Sequence, residues 1–230
     1  MSFTDTKLWD ITAKITSVAA LGWLDSRAFI SVCATAAGID AANIDPVHVA
    51  TLLAHIFLFG FLLLQSSLIL LRPRPVTKAK GLQPRISAML GTWLMVGVVA
   101  FPVVEDLPPS LYVLAAALSF IGDAFAIYVM LHLGRSFSFM AEARRTVFAG
   151  PYSVVRHPLY LAEETALLSG VILRFSVGTL CLLLVQVFFQ FQRMRNEETL
   201  LAETFPEYRA YMERTPRLVP NLNWFSRVRS

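Results

Sequence analysis

Two polar clusters, RHPLY at Arg156–Tyr160 and RMRNEE at Arg193–Glu198, are separated only by a pair of apolar runs. The first run, Pro158–Leu173, predicts a helix of about 16 residues, roughly 24 Å at 1.5 Å per residue. The second, Ser176–Gln192, predicts about 17 residues and roughly 26 Å. Two helices of matched length joined by a short turn bring the chain back to the level it left. Arg156 and His157 are therefore expected beside Arg193 and Glu197, at one face of a membrane. Such a meeting is a site, not a scatter of charges.

The rest of the chain calls for a bilayer. Hydrophobic residues make up 56% of the 230 and the mean hydropathy is +0.58, too apolar for an ordinary soluble domain. Apolar runs predict helices at Ile11–Ile39, Pro46–Leu71, Arg85–Val104, Ser110–Leu133, Pro158–Leu173 and Ser176–Gln192. The expected fold is all-α: a polytopic transmembrane bundle of about six spans, with a C-terminal helical hairpin and a cytosolic tail. Asp25, Ser26 and Arg27 interrupt the first run, which a bend or a local ion pair would explain. The fifth falls short of the roughly 20 residues of a full crossing.

Charge orients the bundle. Eighteen of the twenty Lys and Arg fall at one side of the six predicted spans, all but Arg27 and Arg174. The opposite side carries Asp40, Asp45, Glu105 and Asp106. Positive charge marks the cytoplasmic side, so both termini and both clusters are expected in the cytosol, with a bacterial inner membrane favoured. The same asymmetry accounts for the net charge of +4 without nucleic acid, since no basic face with interleaved aromatics is present. No short apolar segment with a small-residue cleavage site opens the chain, so no removable signal peptide is expected. Cys33 and Cys181 sit in apolar runs without metal or CxxC spacing and read as buried thiols. His48 and His55 lack further ligands and read as core histidines.

The proline- and base-rich linker RPRPVTKAKGLQPR, Arg72–Arg85, separates a front pair of helices from the rest. The organisation expected is an N-terminal part, residues 1–107, of unassigned role, and a core, 108–230, that carries the site. The loop LGRSFSFMAEARRTVFAGPYSVVRHP is long and mixed, which in a compact domain marks function. The tail EETLLAETFPEYRAYMERTPRLVP should continue the last helix with Leu200, Leu201 and Phe205 on an apolar side. It should break at Pro206, resume near Tyr208–Met212 and fold over the mouth of the hairpin as a lid.

Arg193 and Glu197 are one helical turn apart and share a face. Alone they would read as a surface salt bridge of small worth; the RHP cluster folded onto them favours a site. An arginine there can hold a carboxylate in a fork of hydrogen bonds, and a glutamate can accept from ribose hydroxyls or an amine. His157 precedes a proline, which holds its backbone out of the helical region; its ring either donates to an anionic group or caps the next helix. Glu163 and Glu164 lie within an apolar helix, where a charge costs roughly 2.5–3.5 kcal/mol. They line a pocket or sit near enough to the interface to be solvated. Asp123 poses the same question, with an interhelix hydrogen bond as its structural reading.

GPYSVVRHPLYLA, an apolar hairpin and RMRNEETLLAETFPEYRAYMERTPRLVP, in that order, resemble the isoprenylcysteine carboxyl methyltransferase family of integral membrane methyltransferases and its bacterial relatives. The resemblance spans roughly Ser110 to Pro220 and implies an S-adenosylmethionine site open to the cytosol, with a lateral opening for a lipophilic or small methyl acceptor. It makes Tyr152, Arg156, His157, Pro158, Leu159, Tyr160, Glu197 and Glu198 cofactor-pocket residues, with Glu198 in support. It makes Arg144, Arg145, Thr146 and Val147 a loop that meets the cofactor largely through its backbone. Arg193 resembles the arginine that orients the acceptor. One departure is Ala162, where the family commonly has Gly. Methyl transfer from a sulfonium is an in-line displacement, to which positioning contributes on the order of 7–11 kcal/mol. A carboxylate or thiolate acceptor, the favoured classes, needs no general base; an amine or neutral thiol does, and Glu163 and Glu164 are then the candidates. No metal is expected. Two other classes compete: an NADPH-dependent membrane reductase of the sterol-reductase type, with Arg144 and Arg145 facing the 2′-phosphate, and a non-enzymatic membrane scaffold or small transporter.

Overall fold

The computed structural model describes residues 3–39 and 45–220, with side chains from residue 15 onward. Along the chain run α1 (Phe3–Ala37), α2 (Pro46–Leu71), β1 (Thr77–Lys78), α3 (Gln83–Trp93), α4 (Pro109–Leu133), β2 (Glu142–Ala143), α5 (Pro158–Leu173), α6 (Val177–Thr204) and α7 (Glu207–Arg214). The all-helical reading holds, apart from one two-stranded ladder that pairs Thr77 with Ala143 and Lys78 with Glu142.

Proline and short polar caps set the boundaries. Asp45 caps α2 by accepting from the Val47 N–H at 3.0 Å, and Pro46, Pro109 and Pro158 occupy first-turn positions where no N–H is needed. Pro73 turns Arg72 out of the helix (ψ 140°) and ends α2. Ser176 and Thr179 form a reciprocal capping box at the start of α6. The helix expected over Arg85–Val104 stops at Trp93 and tightens into a 3₁₀ segment, Leu94–Ala100. Gly97 with Val96, Val98 and Val99 is a poor α-helical sequence. Helix α1 stays continuous through Asp25–Arg27. Asp25 accepts from Ser66 of α2 at 2.7 Å, an interhelix tie rather than a local ion pair.

Two close helix contacts organise the bundle. Helix α4 lies on α5, and α3 on α6, whereas α5 and α6 touch only sparsely although three residues join them. At Gly122 of α4 an added Cβ would stand 2.5 Å from the Ala166 nitrogen and 2.8 Å from the Ala162 oxygen of α5. Opposite Ala162, where the family commonly has Gly, the close backbone approach is thus supplied by a glycine on the facing helix. Gly91 plays the matching part in α3, where a Cβ would meet Gln190 of α6 at 2.9 Å.

The connections gather at two ends. At one, the ladder joins the 72–82 linker to the loop after α4, and the Arg156 N–H donates to the Pro216 carbonyl at 2.8 Å. At the other, the Val104 N–H donates to the Leu173 carbonyl at 2.9 Å. By length and composition α2, α6 and the stretch Pro109–Ser136 that contains α4 can cross a membrane. Of the other expected spans, α5 has only 16 residues and α3 only 11 before its 3₁₀ continuation. The bundle's outer faces carry large apolar side chains such as Leu131, Leu184 and Phe188. For the same reason Cys33 and Cys181 are exposed rather than buried, because in a bundle that faces lipid an apolar run does not imply an interior position. His48 is likewise not in the core; it is exposed and lies 2.8 Å from Asp45. His55, half-buried, shares a hydrogen bond with Thr35 of α1 at 2.9 Å.

Candidate functional site

A cavity of about 830 Å³, its open mouth included, lies at the end where the ladder and the tail meet. It is bordered by the loop after α4 (Ser136 to Val147), by Tyr152, Arg156, His157, Leu159 and Tyr160, by Arg193, Glu197, Leu200 and Leu201 of α6, and by Tyr208 and Tyr211 of α7. Arg144, Arg145, Thr146 and Val147 all reach it.

The adjacent acids of α6 point two ways, as neighbours about 100° apart on a helix must. Glu197 faces the cavity, accepting from the Tyr160 hydroxyl at 2.5 Å and from Arg193 Nε at 3.1 Å. Glu198 turns into the protein and is not part of the lining. It meets His157 Nε2 at 3.0 Å, Arg156 Nε at 3.2 Å and Arg217 Nη2 at 2.5 Å. Glu198 therefore ties the RHP corner to the tail. His157 offers no side-chain cap to α5; its ring stacks on Tyr160 at 5.2 Å and engages an anion, the first of the two roles open to it. Pro158 is buried at the head of α5 and does not border the cavity.

Arg193 is buried and largely engaged. Its Nη1 donates to Thr92 of α3 at 2.9 Å and its Nη2 to the Ser138 carbonyl at 3.2 Å. Its guanidinium lies 4.7 Å from the centre of the Tyr160 ring. A buried cation needs such partners, because unpaired it would cost several kcal/mol.

A second hub was not legible in the sequence. Glu142 of β2 accepts from Ser138 at 2.7 Å and from Arg144 at 2.6 Å, with Lys78 and Arg72 within 4.0 Å. Arg144 also donates to the Pro73 carbonyl at 3.0 Å, yet its buried Nη1 has no partner. Arg217 and Thr92 escaped sequence reading because each matters only through a residue distant in the chain, Glu198 and Arg193, and Glu142 because its hub also draws in Lys78 and Arg72 from the linker. The spacing of Arg217 from Pro216 in a tail already suspected of folding back was the one available hint.

The tail closes one wall. Tyr211 donates to the Tyr152 carbonyl at 2.6 Å, and the His157 N–H donates to the Arg217 carbonyl at 3.1 Å. Leu200, Leu201 and Phe205 pack with Ala79, Ala141 and Ala143, as their apolar side requires. The chain breaks at Pro206 and resumes as α7, close to the expected Tyr208–Met212. Burial raises the phenols of Tyr152, Tyr208 and Tyr211 well above their usual range, so all three act as neutral groups.

Glu163 and Glu164 do not border this cavity. They lie deeper on α5, where Glu164 accepts from Gln186 of α6 at 2.8 Å. Asp123 is buried and accepts from Ser119 of its own helix at 3.0 Å, so its hydrogen bond is intrahelical rather than between helices. Among the described residues no group of three or more His, Cys, Asp and Glu is placed to hold a metal ion.

A helical membrane bundle with a polar cavity at the meeting of a loop, two helix ends and a folded-back tail is the class defined so far. Residues 115–203 match the isoprenylcysteine carboxyl methyltransferase (ICMT) family, and over that stretch the chain is similar to it. Two bacterial proteins are similar to part of the chain. The cobalt-zinc-cadmium resistance protein CzcN of Cupriavidus metallidurans is 35% identical over 80 residues, 34% of this chain and 37% of that protein. The nickel-cobalt-cadmium resistance protein NccN of Alcaligenes xylosoxydans xylosoxydans is 32% identical over 85 residues, 36% of this chain and 40% of its own. The matches thus span well under half the length of either relative.

Proposed function

We propose that this protein is an integral membrane methyltransferase that uses S-adenosylmethionine and acts on a lipophilic or small acceptor. The observation that carries the reading is the cavity itself. Within the stretch similar to the family, Tyr152, His157, Tyr160 and Glu197 converge on one space. The residues suit the cofactor. The unpaired Arg144 Nη1 offers a donor for the amino-acid carboxylate. Glu197, with 20% of its side chain exposed, offers an acceptor for ribose hydroxyls or the amine. Arg145, Thr146, Val147, Tyr152, Arg156, His157, Pro158, Leu159 and Tyr160 complete or support the pocket, and Glu198 holds its corner. Arg193 positions the acceptor. When bound, the cofactor supplies an activated methyl group.

In this reading all six helical segments cross or enter the bilayer, with α5 and α6 as a hairpin. The core is residues 108–230, and residues 1–107 brace it. The basic end, with both termini and the cavity, faces the cytosol of a bacterial inner membrane. The metal-resistance names of the relatives are consistent with a role in the cell envelope and identify no acceptor.

The test is transfer of labelled methyl from S-adenosylmethionine to a membrane lipid extract, with the product identified by mass. S-adenosylhomocysteine should raise the thermal stability of the detergent-purified protein and NADPH should not; the reverse result would establish the reductase reading. Glu197→Ala should abolish the stabilisation by S-adenosylhomocysteine, while a scaffold would be indifferent.

A further inference from the structure

Below the cavity, α5 and α6 are joined by polar side chains instead of close packing. Gln186, Gln190, Arg193 and Glu197 recur along α6 at helical spacing, over roughly 16 Å, and the first three are almost fully buried. Glu163 and Glu164 face this region from α5. Gln186 donates to Glu164 and to the Gly91 carbonyl, at 2.8 and 3.2 Å. Its own Oε1 is buried and has no partner, and neither has the Oε1 of Gln190. Arg193, the cation of this seam, is held by Glu197, Thr92 and Ser138. Glu163 stands within the electrostatic reach of Arg193, Glu164 and Glu197.

The seam is therefore rich in acceptors and short of donors. Two carboxyl groups and the Gln186 amide oxygen share a region whose cation is already matched by Glu197, while the Gln190 amide oxygen lies beside Gly91 of α3. Buried acceptors without partners are costly, more so at membrane depth, and a ligand that donates hydrogen bonds relieves them. A carboxylate ligand would add a further acceptor and a further negative charge.

We propose, resting on the methyltransferase reading above, that the acceptor is an uncharged nucleophile bearing a hydrogen, an amine or thiol on a lipophilic tail, and not a carboxylate. Its head group enters the seam between α5 and α6, donating toward Gln186 and Glu163. In the transfer the nucleophile's lone pair forms the new bond to the methyl carbon. The electrons of the sulfur–methyl bond stay on sulfur, giving S-adenosylhomocysteine, and the nucleophile's proton passes to the Glu163 carboxylate. Glu163 is then the general base, and Gln186 a positioning residue for the head group.

The test compares three probes with one tail: farnesylamine, farnesyl mercaptan and N-acetyl-S-farnesylcysteine, which carries the carboxylate. The expected result is methylation of the amine or the thiol at least tenfold faster than of the carboxylate. Glu163→Gln should lower kcat for the preferred probe at least tenfold, and Gln186→Leu should raise its KM with little change in kcat. Without any methyl donor, the preferred probe should raise the melting temperature of the protein, and Gln186→Leu should remove that shift. Stabilisation of both variants by S-adenosylhomocysteine reports that they are folded. Preferred methylation of the carboxylate probe, or unchanged turnover in Glu163→Gln, overturns the proposal. No transfer to either amine or thiol also overturns it; retained S-adenosylhomocysteine binding would then spare the methyltransferase reading, and its absence would remove both.

Discussion

Helix α5 has two unlike neighbours. Against α4 it packs backbone to backbone, with Gly122 admitting Ala162 and Ala166 to a distance no larger residue allows. Toward α6 it keeps its distance and reaches across with Tyr160, Glu164 and, just before its first turn, His157. The first junction is closely packed and is limited by backbone atoms. The second consists of hydrogen bonds, each of which a ligand can replace. One helix thus serves as a fixed wall on one side and an adjustable one on the other.

Gly122→Val should produce the largest effect, since its Cβ meets backbone atoms that cannot move aside. Overpacking of this kind destabilises by about 3 kcal/mol or more, read as loss of folded protein or a large fall in melting temperature in detergent. Glu198→Gln should come next. It keeps the shape of the side chain but weakens the charge-assisted hydrogen bonds to His157 and Arg217 and the ion pair with Arg156, at about 2 kcal/mol. If it proved more damaging than Gly122→Val, the adjustable side would be the structural one and the contrast would fail. Arg217→Ala removes a partner whose side chain is 31% exposed, so about 1 kcal/mol is expected. Accessibility of the tail to protease should rise together with that loss. Ala162→Gly, which restores the residue common in the family, should destabilise slightly, by about 0.5–1 kcal/mol, because Gly122 already provides the close approach. A gain in melting temperature would show that the close junction is not yet at its tightest.

The parts legible in the sequence were those written in contiguous residues. Helix α2 begins at Pro46 and ends before Arg72-Pro73, and α5 begins at Pro158, because proline acts on its own neighbours. Tyr160 entered only through the resemblance to the family, whereas the expected meeting of Arg156 and His157 with Arg193 and Glu197 followed from helix length. The two-residue ladder did not, since Thr77 and Ala143 carry no strand pattern and pair only when the bundle brings their loops together. Nor did the choice of Glu197 over Glu198 as the acid that faces the cavity, which depends on the rotation of α6 against its neighbours. The apolar cysteines were misplaced because the sequence alone does not say which face of a membrane helix looks at lipid.

The ladder has a practical outcome for anyone trimming the protein. A fragment starting near residue 108 would keep every motif shared with the family yet forfeit Thr92 beneath Arg193, Pro73 behind Arg144 and the partner strand of Glu142. The smallest fragment that keeps these contacts must therefore reach back at least to Arg72, well upstream of residue 115, where the match to the family begins.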